Sequence, residues 1–211
     1  MATKFLDDEA RAAFKRAVEA VEDASGVEVV VAVRRRSAAY RHANVVVGAA
    51  VAFAGLAATL FSSHAFELTS ILVDPFVVGL LAGATVELLP AVKRILTPRA
   101  TRHATVTRAA RATFVERGVH NTTGRSGLLV YLSWLEQEAV LVADSGLARE
   151  LADGDLARAE AELTAAMRAG GAAVARKLEA LAGAMTAAMP HRDDDVNELP
   201  DAIDSDLERR T

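Results

Sequence analysis

The sequence predicts an α/β protein interrupted by a membrane hairpin, and three observations predict it. Residues 43–63, "ANVVVGAAVAFAGLAATLFSS", carry no charge over 21 positions. The short apolar runs "VEVVVAV" (27–33), "GLLVYLSW" (127–134) and "AVLVADSG" (139–146) read as strands, the first of them almost wholly β-branched. Charged segments with apolar residues at three- and four-residue spacing lie around them and read as helices.

Bulk properties narrow the possibilities. A chain of 211 residues suits one ordinary domain with additions, and 52% hydrophobic against 5% aromatic residues leaves apolar content to spare. With no cysteine, disulfides, thiolate catalysis and Cys-based zinc sites are excluded. The net charge of -4 hides a sharp asymmetry. Residues 29–42 and 93–125 hold twelve of the 24 Lys and Arg against one acid, Glu116, whereas residues 190–211 carry eight acids and three arginines.

The first element is an amphipathic helix. Leu6, Ala10, Ala13, Phe14, Ala17, Val18 and Val21 form one stripe, "DDEA" supplies acids for the N-terminal turn, and Ser25-Gly26 ends it. No apolar h-region precedes it, so no cleavable secretory signal is expected. The strand at 27–33 suits a position covered on both faces.

The run 43–63, at 1.5 Å per residue, is long enough to cross a hydrocarbon core of roughly 30 Å. A second span is read in "ILVDPFVVGLLAGATVELLPAVKRIL" (71–96), where Asp74 and Glu87 bound twelve clean residues. Both acids lie toward the ends, where snorkelling and water lower the roughly 2.5–3.5 kcal/mol an acid costs at mid-bilayer. Glu87, beside Pro90 and one turn from Lys93, reads as an interfacial acid rather than an ion-pathway residue. A buried hairpin in a soluble core is the alternative, but such cores seldom need 21 uncharged residues in one run. Arginines flank the outer ends of the pair, and the connecting "SSHAFELTSILVD" has none, so a two-pass inner-membrane protein with both termini cytoplasmic is expected. Basic residues beside the bilayer favour anionic headgroups by about 1 kcal/mol each.

Beyond the hairpin, "TPRATRHATVTRAARATFVERG" reads as a helix opened near Pro98, with Val106, Ala110 and Phe114 on one side and Arg108 and Arg111 opposite; Gly118 stops it. Two strands joined by "LEQE" follow as a hairpin. Residues 147–189 are Ala-rich and helical, broken at "DGD" (153–155) and at Gly170-Gly171. The tail is too polar and acidic to pack, apart from a short contact at "NELP". The expected organisation is therefore 1–42 and 93–189 as two parts of one domain, 43–92 as the hairpin and 190–211 as a disordered tail.

The stretch "GVHNTTGRSGLLVYLSW" (118–134) looks at first like a phosphate loop. Gly118 and Gly124 have the wrong spacing, Arg125 stands where Lys is needed, and a helix precedes while a strand follows, the reverse of the phosphate-loop order. It reads instead as a turn in which Thr122, Thr123 and Ser126 bond local backbone. The same stretch carries a family pattern. Gly127, Leu128, Leu129, Leu132, Ser133, Glu136, Val140, Val142, Asp144, Gly146 and Leu147 match "GxLxxLS..E..V.I..D.GL", preceded by "SGVEVVVAV" and followed by Ala-rich helices. In this the chain resembles the TPM domain family, named for thylakoid-lumen and photosystem-repair proteins, over about residues 5–42 and 93–188. The resemblance implies an α/β/α sandwich around a small mixed sheet. The strand at 27–33 must then pair with strands beyond residue 126, so the intervening chain must recross the membrane an even number of times. The family's commoner layout is a signal peptide, an exported domain and a terminal anchor.

Some members of the family are described as calcium-binding or as weak acid phosphatases, which directs attention to acids near strand ends. Asp144, Asp153 and Asp155 are the metal-ligand candidates and calcium the one candidate cofactor, since hard cations gather carboxylate and carbonyl oxygens. Against that, "DGD" before a helix has the form of a cap, Asp144 before Ser-Gly suits a turn, and the spacing matches no EF-hand. The five histidines are scattered singly; His120 alone stands where an acid or base could act, and no nucleophile lies beside it in sequence. Arg117 and Arg125 could bind phosphate or face headgroups. No catalytic residue is assigned. The leading expectation is a non-enzymatic binding or adaptor module at the cytoplasmic face. The alternatives are a metal-dependent phosphatase and an oligomeric channel component packed through Gly48, Gly55, Gly79 and Gly83. The expected partners are the bilayer's anionic lipids, another membrane protein and further copies of the chain, not nucleic acid.

Overall fold

Three strands and a short fourth form a mixed sheet in the order β3-β2-β1-β4. β1 is Glu28–Arg34, β2 Gly127–Ser133, β3 Glu138–Ala143 and β4 Asp204–Ser205. β1 lies parallel to β2 in seven residue pairs, from Glu28 opposite Gly127 to Arg34 opposite Ser133. β2 and β3 are an antiparallel hairpin, with Ser133 opposite Glu138. This computed structural model describes residues 5–191, 198–199 and 202–207.

The chain divides into two compact units, residues 1–37 with 103–211, and residues 38–102. In the first, strand alternation separates two apolar layers. Val29, Val31, Val33, Leu128, Val130 and Leu132 point to one side, where they meet Phe14, Val18, Val21, Leu163, Val174 and Leu178. These helical residues come from α1 (Asp8–Ala24), α7 (Asp155–Ala166) and α8 (Gly171–Glu179), and Met185 of α9 (Ala182–Ala188) joins them. Val30, Ala32, Leu129, Tyr131 and Val140 point to the other side and meet Val106 and Ala110 of α5 (Arg99–Glu116). The result is the expected α/β/α sandwich. Asp7 caps α1 by accepting from the Ala10 N–H at 2.9 Å, and the α1 stripe is buried from Ala10 to Val21. Arg108 and Arg111 are exposed on α5, as the helical spacing predicts.

The second unit contains α2 (Arg41–Phe61) and α3 (Leu68–Thr85), a 3-10 turn at Val86–Leu88, and α4 (Pro90–Leu96). Two 21-residue segments, Arg41–Phe61 and Leu68–Leu88, are long and apolar enough to cross a membrane, and only 0% and 22% of their most apolar windows are buried. Phe53, Phe61, Leu68 and Leu80 are 75%, 89%, 81% and 76% exposed, so the described residues of the chain do not cover these apolar faces. The second segment ends earlier than residue 96. Leu89 leaves helical backbone, and Pro90, which cannot donate a helical hydrogen bond, opens α4 as a separate helix. The compact unit that holds these helices runs from Ala38 to Arg102.

The acidic tail also differs from expectation. Residues 204–205 pair with β1 in parallel, Asp204 opposite Ala32 and Ser205 opposite Val33, and Leu207 is 4% exposed in the core. Acids that repel packing in isolation find arginines here, as described below. The expected contact at "NELP" is present at Glu198, which accepts from the Thr123 N–H at 3.0 Å, and at Leu199, whose N–H reaches Glu28 at 3.3 Å; Asn197 and Pro200 lie outside the described residues.

Leu132 is fully buried between β1, β2 and the α1 layer. Leu132→Ala should cost about 2–5 kcal/mol through lost burial and a residual cavity. Urea unfolding in detergent, read from the single tryptophan, Trp134, checks this.

Candidate functional site

At the start of β2 the loop after α5 builds a tight turn from its own side chains. Gly118 takes φ +66 at the end of α5, a conformation open to glycine at little cost. Thr122 Oγ1 accepts from the Ser126 N–H at 2.9 Å, and the Arg125 N–H donates to Thr122 O at 3.1 Å. This is the side-chain-to-backbone turn read from the sequence, and Arg125 occupies its left-handed position at φ 52. Asp144 follows β3 and opens α6 (Ser145–Glu150), accepting from the Ser145 N–H at 2.6 Å. The loop sits against this helix so closely that a Cβ on Gly146 would lie 2.4 Å from Gly124 O. Gly146 is therefore required by backbone approach.

Three sequence-selected residues meet here. Arg125 donates to His120 O at 2.9 Å and stands 3.9 Å from Asp144 Oδ2. That Asp144 oxygen and His120 Nδ1 are buried without a hydrogen-bond partner. The Arg125–Asp144 pair is thus a long ion pair rather than a hydrogen bond. Asp153 and Asp155 do not join Asp144 in a metal cage: among the described residues, no three His, Asp or Glu side chains gather at metal-binding distance. Asp153 is exposed, and Asp155 occupies the first turn of α7, 3.1 Å from Arg158. The "DGD" turn does not cap through an aspartate. Gly154, at φ +86, takes the N-cap position and Asp155 favours the helix dipole from inside.

The opposite end of the sheet carries a polar network that sequence reasoning missed. Glu136, in the β2–β3 turn, is 1% exposed, and one of its oxygens accepts from the Ser37 N–H at 2.9 Å while the other accepts from the Ser133 hydroxyl. Ser37 Oγ donates to Ser133 Oγ at 2.9 Å and lies 3.3 Å from Tyr131 Oη. A buried carboxylate without such donors would cost several kcal/mol, so these bonds hold the chain where it leaves β1. Nearby, His103 stands 3.6 Å from the buried Glu138. Burial pushes the Tyr131 phenol above its ordinary 10.0, against the opposing pull of its Ser37 hydrogen bond and the Arg34 charge. Ser133 and Glu136 were legible only as members of a family pattern, because their partner Ser37 lies about a hundred residues away.

In the second unit the glycines are used up inside one hairpin. A Cβ on Gly48 would lie 2.9 Å from Gly79 O, one on Gly79 2.6 Å from Gly48 O, one on Gly83 2.7 Å from Asn44 O, and one on Gly55 3.3 Å from Pro75 Cβ. Small residues four apart let α2 and α3 touch along their backbones. These are the glycines to which the oligomeric channel reading points, and in this hairpin they lie where its two helices meet. Glu87 accepts from Lys93 Nζ at 2.6 Å and from Asn44 Nδ2 at 3.1 Å, just past the end of α3.

No protein-family model and no curated protein matches the chain. In fold the chain is similar to the BA42 protein from the psychrophilic bacterium Bizionia argentinensis, whose structure was solved by NMR. The TM-score is 0.57 with 15% sequence identity, covering 95% of each chain. At that identity the likeness shows the fold alone.

Two outcomes test the reading of these sites. Asp144→Ala should cost about 0.5–2 kcal/mol by loss of the cap, whereas Asp144→Asn, an equally good capping residue, should melt within about 0.5 kcal/mol of the parent; equal losses in thermal unfolding would show that the charge, not the cap, matters. The raised Tyr131 pKa means that the unfolded chain releases this proton first, so its stabilising effect is full below pH 10.0 and is lost as pH rises through the folded value. Alkaline unfolding curves of Tyr131→Phe should therefore fall less steeply above that pH than those of the parent.

Proposed function

We propose that the chain is a TPM-like binding or adaptor module, held at the cytoplasmic face of the inner membrane by its own two-pass hairpin. The observation that carries this reading is the parallel pairing of β1 with β2 across an insertion of two membrane-length, uncovered apolar helices. A sheet whose two halves must meet on one side of a bilayer admits an even number of crossings. Arg34, Arg35, Arg36 and Arg41 precede the pair and Lys93, Arg94, Arg99 and Arg102 follow it, which sets both ends on the positive-inside face. The exposed Arg108 and Arg111 of α5 add charge suited to anionic headgroups.

A binding role is favoured over catalysis by how the polar side chains are engaged. Thr122 closes a turn, Asp144 caps a helix, Glu136 and Ser133 pin a chain exit, and Asp155 supports a helix terminus. The partner in this reading is another protein of the same membrane, with Gly48, Gly79 and Gly83 closing the hairpin on itself.

Reporter fusions at the N-terminus and after Gly118 should both report the cytoplasm. An external reporter after Gly118 with an internal one at the N-terminus would overturn the proposal.

A further inference from the structure

The acidic tail is seated in a manner that defines a binding groove. β1 is seven residues long; β4 pairs with its residues Ala32 and Val33, and nearer its start the Val29 N–H is held by Glu22 at 2.9 Å. The edge of a sheet is a template for an added extended segment. The groove beside it selects by charge. Asp204 is held by Arg34 and, at 2.6 Å, by Arg117 from just beyond α5, and its carbonyl accepts from Arg34 at 2.8 Å. Asp206 accepts from the Arg35 N–H at 2.6 Å and donates its own N–H to Val33 O at 3.2 Å. Leu207 is buried among the residues of the α1 layer, with Ile203 packed against the same layer. The seat therefore reads an aliphatic residue, an acid one place on, a second acid two places further and a buried aliphatic next to it.

We propose that the β1 edge is a peptide-docking groove for an extended acidic segment of a partner protein, and that residues 202–207 are its resident, displaceable occupant. The chemistry of recognition is on display in the resident: backbone pairing gives affinity, and the two arginines with the Leu207 pocket give specificity. A short tether gives the tail an effective concentration of about millimolar, so a partner with a longer matching strand can displace it. This names the partner class for the adaptor reading and rests on it. The test below needs no membrane crossing, so its outcome is separate from that of the topology measurement.

The chain has no cysteine, so Ala202→Cys, at an exposed position, is a unique labelling site in the full-length protein. The probe is the synthetic peptide AIDSDL, added in excess to the protein carrying a fluorophore at that cysteine. The expected result is a saturable fall in anisotropy as the tail is released, requiring at least about tenfold more of a peptide in which both aspartates are asparagine. In a second measurement, labelled peptide should bind the Leu207→Ser chain at least about tenfold more tightly than the parent, with Arg117→Gln added to that chain reversing the gain. No anisotropy change at saturating peptide, or equal action of the asparagine peptide, would overturn the proposal. Unchanged peptide affinity in the Leu207→Ser chain would do the same.

Discussion

The parallel contact between β1 and β2 is the constraint on which the rest of this molecule depends. Parallel strands cannot be joined by a tight turn, and their connection must travel the length of the sheet and return. Here that connection contains α2, α3, α4 and α5, which makes an apolar two-helix hairpin part of the crossover between β1 and β2. The cost of closing so long a loop grows only slowly with its length, so an insertion of this size is tolerable provided its own ends stay close. The close α2–α3 contact at Gly48, Gly79 and Gly83 meets that condition within the hairpin. At the chain exit, Glu136 and Ser133 fix Ser37.

Local signals were legible where one short-range rule decided the outcome. The Phe14–Val18–Val21 stripe, the β-branched run at 27–33 and the uncharged run at 43–63 each read correctly because periodicity or length alone determines them. Boundaries were less legible. The second apolar run reads as one span from 71 to 96 because hydropathy continues there, while the helix stops at Thr85, ahead of Pro90 and the Glu87–Lys93 pair. The Ser37–Ser133–Glu136 network could not be read without the β1–β2 register, since Ser37 lies about a hundred residues from the other two and shares no periodic signal with them.

The tail shows how composition misleads when charge is read locally. Eight acids among residues 190–211 argue for a solvated chain, and the dense arginines at 34–36 and 117 argue for a headgroup belt. Each inference treats its own segment in isolation. Asp204 beside Arg34 and Arg117 reconciles them: part of the negative tail and part of the positive belt are partners, and the apolar Leu207 supplies burial that the acids alone could not.

The same reasoning separates structural from recognitional roles for the arginines. Arg125 is tied to the carbonyl of His120 within its own turn, where it shapes the loop over α6. Arg34 and Arg117 instead converge from β1 and the end of α5 on one carboxylate that belongs to neither element. Arg34 belongs to a strand registered along its whole length against β2, so the seat of Asp204 is built on an element that β2 also holds in place, while Leu207 ties the same segment into the core.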